Sequence, residues 1–191
     1  MDKVFRTKQG AIVEDVFAYT RNQISEQRMR GQEVTIYIGT DSQDKGGKTT
    51  YATCICYRYG NRGVHYIYTK ENFPRLRDDW SRLYKETEHT MEVATWFVEM
   101  FPKLDVTLDL DYNIDPSTKS NALVSATRGW AESMGMKVNI KLNWEDDTTK
   151  YQVQVATKAA DRECRGGGSK AKNRKMNRKA KRTNKTTLVK R

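Results

Sequence analysis

The order of its periodic segments is the feature of this 191-residue chain that most restricts its fold. Between residues 34 and 70, three runs rich in β-branched and aromatic residues follow one another with only short glycine-containing turns between them. A long helical pattern then covers residues 74–101, and strand-like runs at 105–113 and 136–144 alternate with further helices. Successive strands favour antiparallel pairing, whereas strand–helix alternation favours parallel pairing. The predicted fold is therefore α/β, with a mixed five-stranded sheet flanked by helices.

The charge distribution divides the chain into two parts. The net charge is +11, but residues 165–191 contain twelve of the 35 Lys and Arg residues and no Asp or Glu. Residues 1–164 therefore hold 23 basic residues against all 24 acidic ones. We predict a folded domain over residues 1–164, which starts with an N-terminal helix within residues 1–31. Residues 165–191 are predicted to form a flexible basic tail, because they are too polar to bury a core.

Hydropathy indicates a chain that does not enter a membrane. No apolar run approaches 18 residues, and the N-terminus lacks a charged-then-apolar leader with a cleavage site. The three cysteines match neither a disulfide framework nor a zinc-binding pattern. We therefore expect a cytoplasmic protein. The sequence leaves its oligomeric state open.

Carboxylates occur at strand positions where a solubilising charge is not expected. Asp41 follows the apolar run at the predicted end of the first strand, and Asp109 lies near the end of the fourth. If these two strands are parallel neighbours, both carboxylates lie at the same edge of the sheet. Like charges held close together are unfavourable unless they are neutralised, usually by a divalent cation. A single strand-end aspartate more often caps a turn, so the interpretation depends on acids from the helices.

The long helix offers four glutamates, and its helical wheel selects one of them. Its apolar face consists of Leu83, Thr90, Val93, Ala94, Phe97 and Phe101. Glu86 lies at the margin of this face, whereas Glu88, Glu92 and Glu99 point toward solvent. A buried acid needs a partner, which makes Glu86 a candidate ligand. In the last helix, Asp161 follows two alanines, whose small side chains permit a close approach to the sheet.

Four short motifs in this order resemble the YkuK-type family of ribonuclease H-like proteins. The segments are IGTDSQ, KETEHTMEVA, LDLDYN followed by ST, and AAD. They stand in the places of that family's G-S-D-S-Q, E-T…S-x-E-x-A, L-D-I-G-x-N…T and A-D segments. The resemblance spans roughly residues 35–161. It implies a ribonuclease H-like fold and the activity of a predicted nuclease.

The resemblance also implies an acidic site. It assigns the family's tetrad, as catalytic residues and metal ligands, to Asp41, Glu86, Asp109 and Asp161. Asp111 stands where the family usually has glycine and shares a strand face with Asp109, so it is a fifth candidate ligand. Glu92 also falls on an acidic position of the family, but the helical wheel places it outside. We therefore rank Glu86 above Glu92 and Asp109 above Asp111.

On the implied fold, two Mg²⁺ or Mn²⁺ ions would serve hydrolysis of a phosphodiester bond, with Asp41 bridging them. Oxygen ligands suit these ions, and the scarcity of histidine and paired cysteine disfavours zinc. His89 lies close to Glu86 in the sequence and could transfer a proton. A solvent-facing histidine on the flank of the helix is the expected interpretation.

The basic tail independently points to a nucleic-acid partner. Clustered cations without counter-charges bind phosphates nonspecifically, and the tail contains no aromatic residue on which a base could stack. A merely solubilising tail is the alternative. The residues expected to contact nucleic acid are Lys170, Lys172, Arg174, Lys175, Arg178, Lys179, Lys181, Arg182 and Lys185.

The predicted function is a metal-dependent nuclease acting on RNA, an RNA/DNA hybrid or DNA, and the sequence does not choose among these substrates. One alternative is a nucleic-acid or ribonucleoprotein binding module of the same fold with little or no catalysis. A second is a junction resolvase or a 3′–5′ exonuclease. A magnesium-dependent phosphotransferase is disfavoured, because residues 44–50 contain glycines without the spacing of a P-loop.

Overall fold

A computed structural model describes residues 1–112, 121–140 and 154–166 of the chain. The strands are β1 (Phe5–Thr7), β2 (Ile12–Val13), β3 (Val34–Lys45), β4 (Lys48–Tyr59), β5 (Val64–Pro74), β6 (Val106–Leu110) and β7 (Lys137–Ile140). The helices are α1 (Val16–Met29), α2 (Asp79–Met100), α3 (Asn121–Ser133) and α4 (Ala156–Cys164). Helices α1, α2 and α3 pack on one face of the sheet, and α4 packs on the other.

The strands form one mixed sheet in the order β2-β1-β5-β4-β3-β6-β7. Strands β3, β4 and β5 pair antiparallel, as their succession in the sequence predicts. Strand β6 then pairs parallel to β3, and β7 pairs parallel to β6. The α/β class and the antiparallel triple are confirmed. The first and fourth predicted strands are parallel neighbours, which was the condition for Asp41 and Asp109 to share an edge of the sheet.

The described sheet has seven strands rather than the predicted five, because the first fifteen residues contribute a hairpin. Gly10, with φ +93°, lies in the turn between β1 and β2. Ile12 and Val13, which lie within the segment 1–31 where an N-terminal helix was predicted, belong to β2. Helix α1 begins later because the Asp15 carboxylate accepts a hydrogen bond from the Ala18 amide at 2.9 Å and caps the helix.

Some of the predicted features lie outside the described residues. Of the tail, only Arg165 and Gly166 are described, so all nine candidate nucleic-acid contacts fall outside the described ranges. Residues 113–120, the segment before α3, also lie outside them. None of the four helices in the described parts combines the length and hydropathy that a membrane span requires.

Two apolar cores of unequal size hold the layers together. The larger core lies between the sheet and helices α1, α2 and α3, and is centred on residues such as Ile38, Ile55 and Phe97. The smaller core lies under α4 and is made of alanine, cysteine and tyrosine side chains. Small residues allow α4 to lie close to the sheet, as the alanine pair before Asp161 predicted.

Gly39 is the point at which α4 and β6 come closest to β3. A Cβ atom at this position would lie 2.7 Å from the Asp109 carbonyl oxygen and 3.2 Å from the Ala156 Cβ. Because one neighbour is backbone and the other begins a helix, neither can move without displacing its whole element. The residue at position 39 therefore controls how closely α4 approaches the sheet.

We predict that Gly39→Ala lowers the free energy of unfolding by roughly 1–3 kcal/mol, the usual cost of overpacking a close contact. Urea denaturation at neutral pH measures this change. Gly129→Ala is the matched control: Gly129 lies within α3, where an added Cβ would meet no atom within 4 Å. That control should raise stability by about 0.5–1 kcal/mol, since alanine favours the helix. Equal effects of the two substitutions would contradict the close-packing argument.

Candidate active site

The candidate site lies at the sheet edge where β6 ends beside β3. The two strands pair in parallel from Ile36 with Val106 to Ile38 with Leu108. Continuing this register places Asp41 beside Asp111, one residue after the end of β6. Strand β3 itself continues to Lys45, so Asp41 does not end its strand as predicted. It lies instead where its neighbouring strand stops.

Asp41 lies on the α4 side of the sheet, opposite Ala52 of β4. Burial, together with the negative charges of Asp161 and Asp111, raises the pKa of its carboxyl to about 6. A hydrogen bond involving the Ser42 backbone acts in the opposite direction. Asp41 therefore carries a charge that the surrounding described residues do not fully compensate.

Glu86 reaches the same edge from α2, on the opposite face of the sheet. Its exposure is 8%, whereas Glu88, Glu92 and Glu99 are exposed, so the helical wheel identified the buried acid of this helix correctly. The Ser42 hydroxyl donates to Glu86 Oε1 at 2.5 Å. Burial, together with the charges of Asp41 and Asp111, raises the pKa of Glu86 to about 7.

Asp161 is held near Asp41 by the docking of the C-terminal half of α4. The Cys164 thiol donates to the carbonyl oxygens of Asp41 at 3.1 Å and Thr50 at 3.4 Å. The negative charge of Asp161 acts on the Asp41 carboxyl and raises its pKa. Its Oδ1 also accepts from Arg165 Nε at 2.5 Å, in a partly exposed ion pair.

Asp109 is buried, and its carboxylate is occupied by contacts within the protein. Oδ2 accepts from the backbone amides of Val155 at 2.5 Å and Ala156 at 2.6 Å, and Oδ1 accepts from Asn139 Nδ2 at 2.7 Å. Burial raises the pKa of Asp109, and these hydrogen bonds oppose that rise. The carboxylate thus caps α4 from the neighbouring strand, because Val155 provides no side-chain cap of its own.

Two polar residues that the sequence reasoning did not select complete this anchor. Asn139 lies in β7, and Gln154 Nε2 donates to the carbonyl oxygens of Leu110 at 3.0 Å and Asn139 at 3.3 Å. Thr157 donates in turn to Gln154 Oε1 at 2.5 Å. The available signal was an asparagine inside an apolar strand, which is unusual unless its amide has a partner.

Asp111 takes the position beside Asp41 that was predicted for Asp109. It is exposed, and its charge acts on both Asp41 and Glu86. The structure thus brings together the carboxylates of Asp41, Glu86, Asp111 and Asp161, while the Asp109 side chain turns to α4. Among the described residues, no three His, Cys, Asp or Glu side chains are arranged to hold a metal ion as they stand.

His89 was expected to face solvent, and this expectation is wrong. Its ring is buried between the rings of Tyr51, at 5.2 Å, and Phe73, at 5.5 Å. Its Nδ1 lies 3.3 Å from Glu71 Oε2, and burial lowers the pKa of the ring. The helical wheel places His89 on the sheet-facing side of α2 near Glu86, which was the overlooked signal.

Comparison with known proteins agrees with this architecture. The model of the family described as Ribonuclease H-like matches residues 12–164, which is well over half of the chain. A search of the curated proteins found no match. The resemblance inferred from the four motifs is confirmed at the level of this superfamily. The chain belongs to the ribonuclease H-like family.

Proposed function

We propose that the protein is a divalent-metal-dependent nuclease that hydrolyses phosphodiester bonds at the edge between β3 and β6. The observation that carries the proposal is the electrostatic coupling of Asp41 in β3 to three other acids: Glu86 in α2, Asp161 in α4 and Asp111, which follows the end of β6. Family membership supports a nuclease-like fold for this arrangement. The proposed substrate is RNA, an RNA/DNA hybrid or DNA.

The donor set suits Mg²⁺ or Mn²⁺. All four side chains offer hard oxygen ligands, and the raised pKa values of Asp41 and Glu86 indicate negative charge that needs neutralising. Because no ready-made cation group exists among the described residues, binding would require these side chains to turn toward one another. Such ions, when bound, would activate a water molecule and stabilise the leaving oxygen.

The protein's own residues have distinct tasks in this proposal. Asp41 interacts with each of the other three acids and is therefore the central ligand. Ser42 fixes the direction of the Glu86 carboxylate through its hydroxyl. Asp161 is available after its partly exposed pair with Arg165 opens, which costs little because exposed pairs contribute only about 0–1 kcal/mol. Asp109 acts as a structural residue that holds α4.

The second candidate is a nucleic-acid-binding module without catalysis. The lack of a preformed cation group in the described ranges favours it, as does the ion pair that engages Asp161. Titration with Mn²⁺ separates the two functions. A nuclease should gain thermal stability from Mn²⁺ through the acidic residues, whereas a pure binding module should not.

We predict that Glu86→Gln lowers Mn²⁺-dependent cleavage of labelled oligonucleotides by roughly 100- to 1000-fold, the effect of several kcal/mol in transition-state stabilisation. The panel should include single strands, duplexes, hybrids and junctions. Glu92→Gln is the matched control, because it removes an exposed acid from the same helix and should leave cleavage unchanged.

Metal-free stability separates this loss of activity from misfolding. The folded pKa of Glu86, about 7, exceeds its ordinary value of 4.5. Ionised Glu86 therefore disfavours folding at pH 8, and the penalty disappears as the pH falls through 7 toward 4.5. Glu86→Gln should raise the melting temperature at pH 8 more than at pH 5. Normal cleavage by this variant would rule out Glu86 as a ligand.

Substitutions of Asp109 should affect stability, whereas substitutions of Asp111 should affect cleavage. We predict that Asp109→Ala lowers the free energy of unfolding by about 2–4 kcal/mol, since it leaves two backbone amides at the start of α4 and the Asn139 amide without their acceptor. Asp111→Ala should change stability little, because the side chain is exposed, and should abolish cleavage.

A third variant decides between the two aspartates directly. Asp109→Asn keeps an oxygen for the α4 amides and removes the charge, so it should retain metal-dependent cleavage. Chemical denaturation and the cleavage assay provide the two measurements. A folded Asp109→Asn protein without metal-dependent cleavage would show that Asp109, and not Asp111, is the ligand.

The basic tail would supply affinity for the phosphate backbone. We call Asp41, Glu86, Asp111 and Asp161 the acidic group. Cys164 lies beside Asp41 and Arg165 lies beside Asp161, so residues 167–191 begin next to the acidic group. At this edge of the sheet, in contrast, the described residues present a cluster of negative charge, which repels the phosphates of a nucleic acid. Cationic side chains beyond Gly166 would therefore offset the repulsion between the substrate and the site.

Ending the chain at Gly166 should weaken nucleic-acid binding and flatten its salt dependence. This truncation removes eleven Lys and Arg residues but keeps the Arg165 partner of Asp161. We expect a loss of roughly four to eight phosphate contacts, each worth about 0.9 in the log–log salt slope on duplex DNA and about 0.7 on single strands. Turnover at saturating substrate should change little, since uniform binding affects KM more than kcat. An unchanged salt slope would exclude the tail from binding.

A further inference from the structure

The N-terminal turns of α2 carry two exposed aromatic side chains that neither the core nor the acidic group uses. Trp80 and Tyr84, the aromatic pair, are 39% and 50% exposed. Their ring centroids are 5.4 Å apart and their planes differ by 12°, so the rings are stacked. A contact between residues four apart can stabilise the helix, but it does not require the outer ring faces to remain open to solvent.

The aromatic pair lies on the flank of α2 that faces the end of β6. Trp80, Tyr84 and Thr87 follow one another at helical spacing on this flank, and the hydroxyls of Thr87 and Tyr112 share a hydrogen bond. Tyr112 directly follows Asp111 of the acidic group. From Thr87, Tyr84 lies about 4.5 Å and Trp80 about 10 Å further along the helix axis. The aromatic pair thus lies on the flank of α2 that contacts Tyr112, the residue next to Asp111 of the acidic group.

Positive charge adjoins the aromatic pair. Arg77 is exposed and makes no hydrogen bond or ion pair among the described residues. Arg75 is 64% exposed, although it pairs with Asp44 at 3.0 Å. Two acids precede Trp80 in the sequence: Asp78 accepts a hydrogen bond from the Ser81 amide at 2.8 Å, and Asp79 is paired with Arg82 at 3.2 Å. A flat apolar surface beside cationic side chains is complementary to a nucleobase attached to a phosphate backbone.

We propose that the aromatic pair is a stacking platform for unpaired bases, so that the substrate of the acidic site is a single-stranded nucleic acid or a single-stranded segment of one. This inference rests on the proposed function for its substrate class and goes beyond it by excluding a fully paired duplex as the preferred ligand. The bases of a duplex already stack on one another, and their faces are closed to the aromatic pair. The basic tail attracts phosphates of any strand, whereas the aromatic pair selects strands whose bases are free.

The test measures binding of the full-length chain to three fluorescently labelled ligands in EDTA, where no cleavage interferes. The ligands are a single-stranded oligonucleotide, made both as DNA and as RNA, an abasic strand with the same backbone, and a blunt duplex. Trp80→Ala should weaken binding of the single strand roughly 5- to 150-fold, the value of one stacked base. Its binding to the abasic strand and to the duplex should be unchanged. Trp130→Ala is the matched control, since Trp130 is 51% exposed on α3, and it should alter none of the three.

Further variants and outcomes make the test decisive. Trp80→Phe retains a ring and should restore most of the affinity, and Tyr84→Ala should reproduce the loss if Trp80→Ala does not fold. Equal affinities of the Trp80→Ala and Trp130→Ala chains for the single strand would overturn the proposal. An equal loss on the abasic strand would overturn it as well. A change of oligomeric state without a change in oligonucleotide binding would assign the pair to a protein interface instead.

The dependence of single-strand binding on Trp80 can be tested whether or not the protein is a nuclease. A chain that never cleaves, but whose single-strand binding depends on Trp80, overturns the nuclease and supports the stacking platform. A chain that cleaves, while Trp80→Ala binds single strands as the wild type does, overturns the platform alone.

Discussion

Capture of the start of α4 by the buried Asp109 carboxylate is the contact on which the rest of the candidate site depends. A buried carboxylate is tolerated only when hydrogen-bond donors surround it, and here two backbone amides and the Asn139 amide do so. The unpaired amides of a helix start also attract negative charge. Asp109 thus joins β6, β7 and α4 in one network. A helix of nine residues is too short to be stable without such tertiary contacts.

The position of α4 then sets the electrostatics at the sheet edge. Gly39 and the alanines of α4 let the helix lie against β3, and Cys164 ties its far end to the Asp41 backbone. Asp161 is carried next to Asp41 as a result. The energetic cost appears at Asp41, whose pKa is raised by burial and by the charge of Asp161. Packing that is favourable along the whole helix therefore holds together charges that would separate if they were free.

The sequence allowed much of the fold to be predicted, because the order of periodic segments restricts the topology. The antiparallel triple followed from the order of the strands, and the burial of Glu86 followed from the helical periodicity of α2. The parallel pairing of β3 with β6 was compatible with this order but was not fixed by it. The β1–β2 hairpin was not predicted, since strands of three and two residues are too short to show a period. The burial of His89 was not predicted, although its position on the helical wheel places it on the sheet-facing side of α2.

The choice between Asp109 and Asp111 could not be made from the strand pattern. The two residues are two positions apart in the predicted strand, so alternation assigns both to the same face of the sheet. What separates them is the register against β3 and the arrival of α4, which is a contact between residues 46 and 47 positions apart in the chain. A local pattern carries no information about such a contact. The sequence feature most closely related to the contact between Asp109 and α4 is Asn139, a polar residue in the next strand.

One short helix connects both halves of the proposed activity. Its start is fixed by Asp109, its middle presents Asp161 to the acidic group, and its end leads into the basic residues beyond Gly166. A cluster of carboxylates repels phosphates, and a cationic segment attracts them over a longer range. Under the proposed function, the cationic segment must begin close to the carboxylates, so that a nucleic-acid strand attracted by the segment can reach the acidic site. The anchoring of α4 meets this requirement with a single buried side chain.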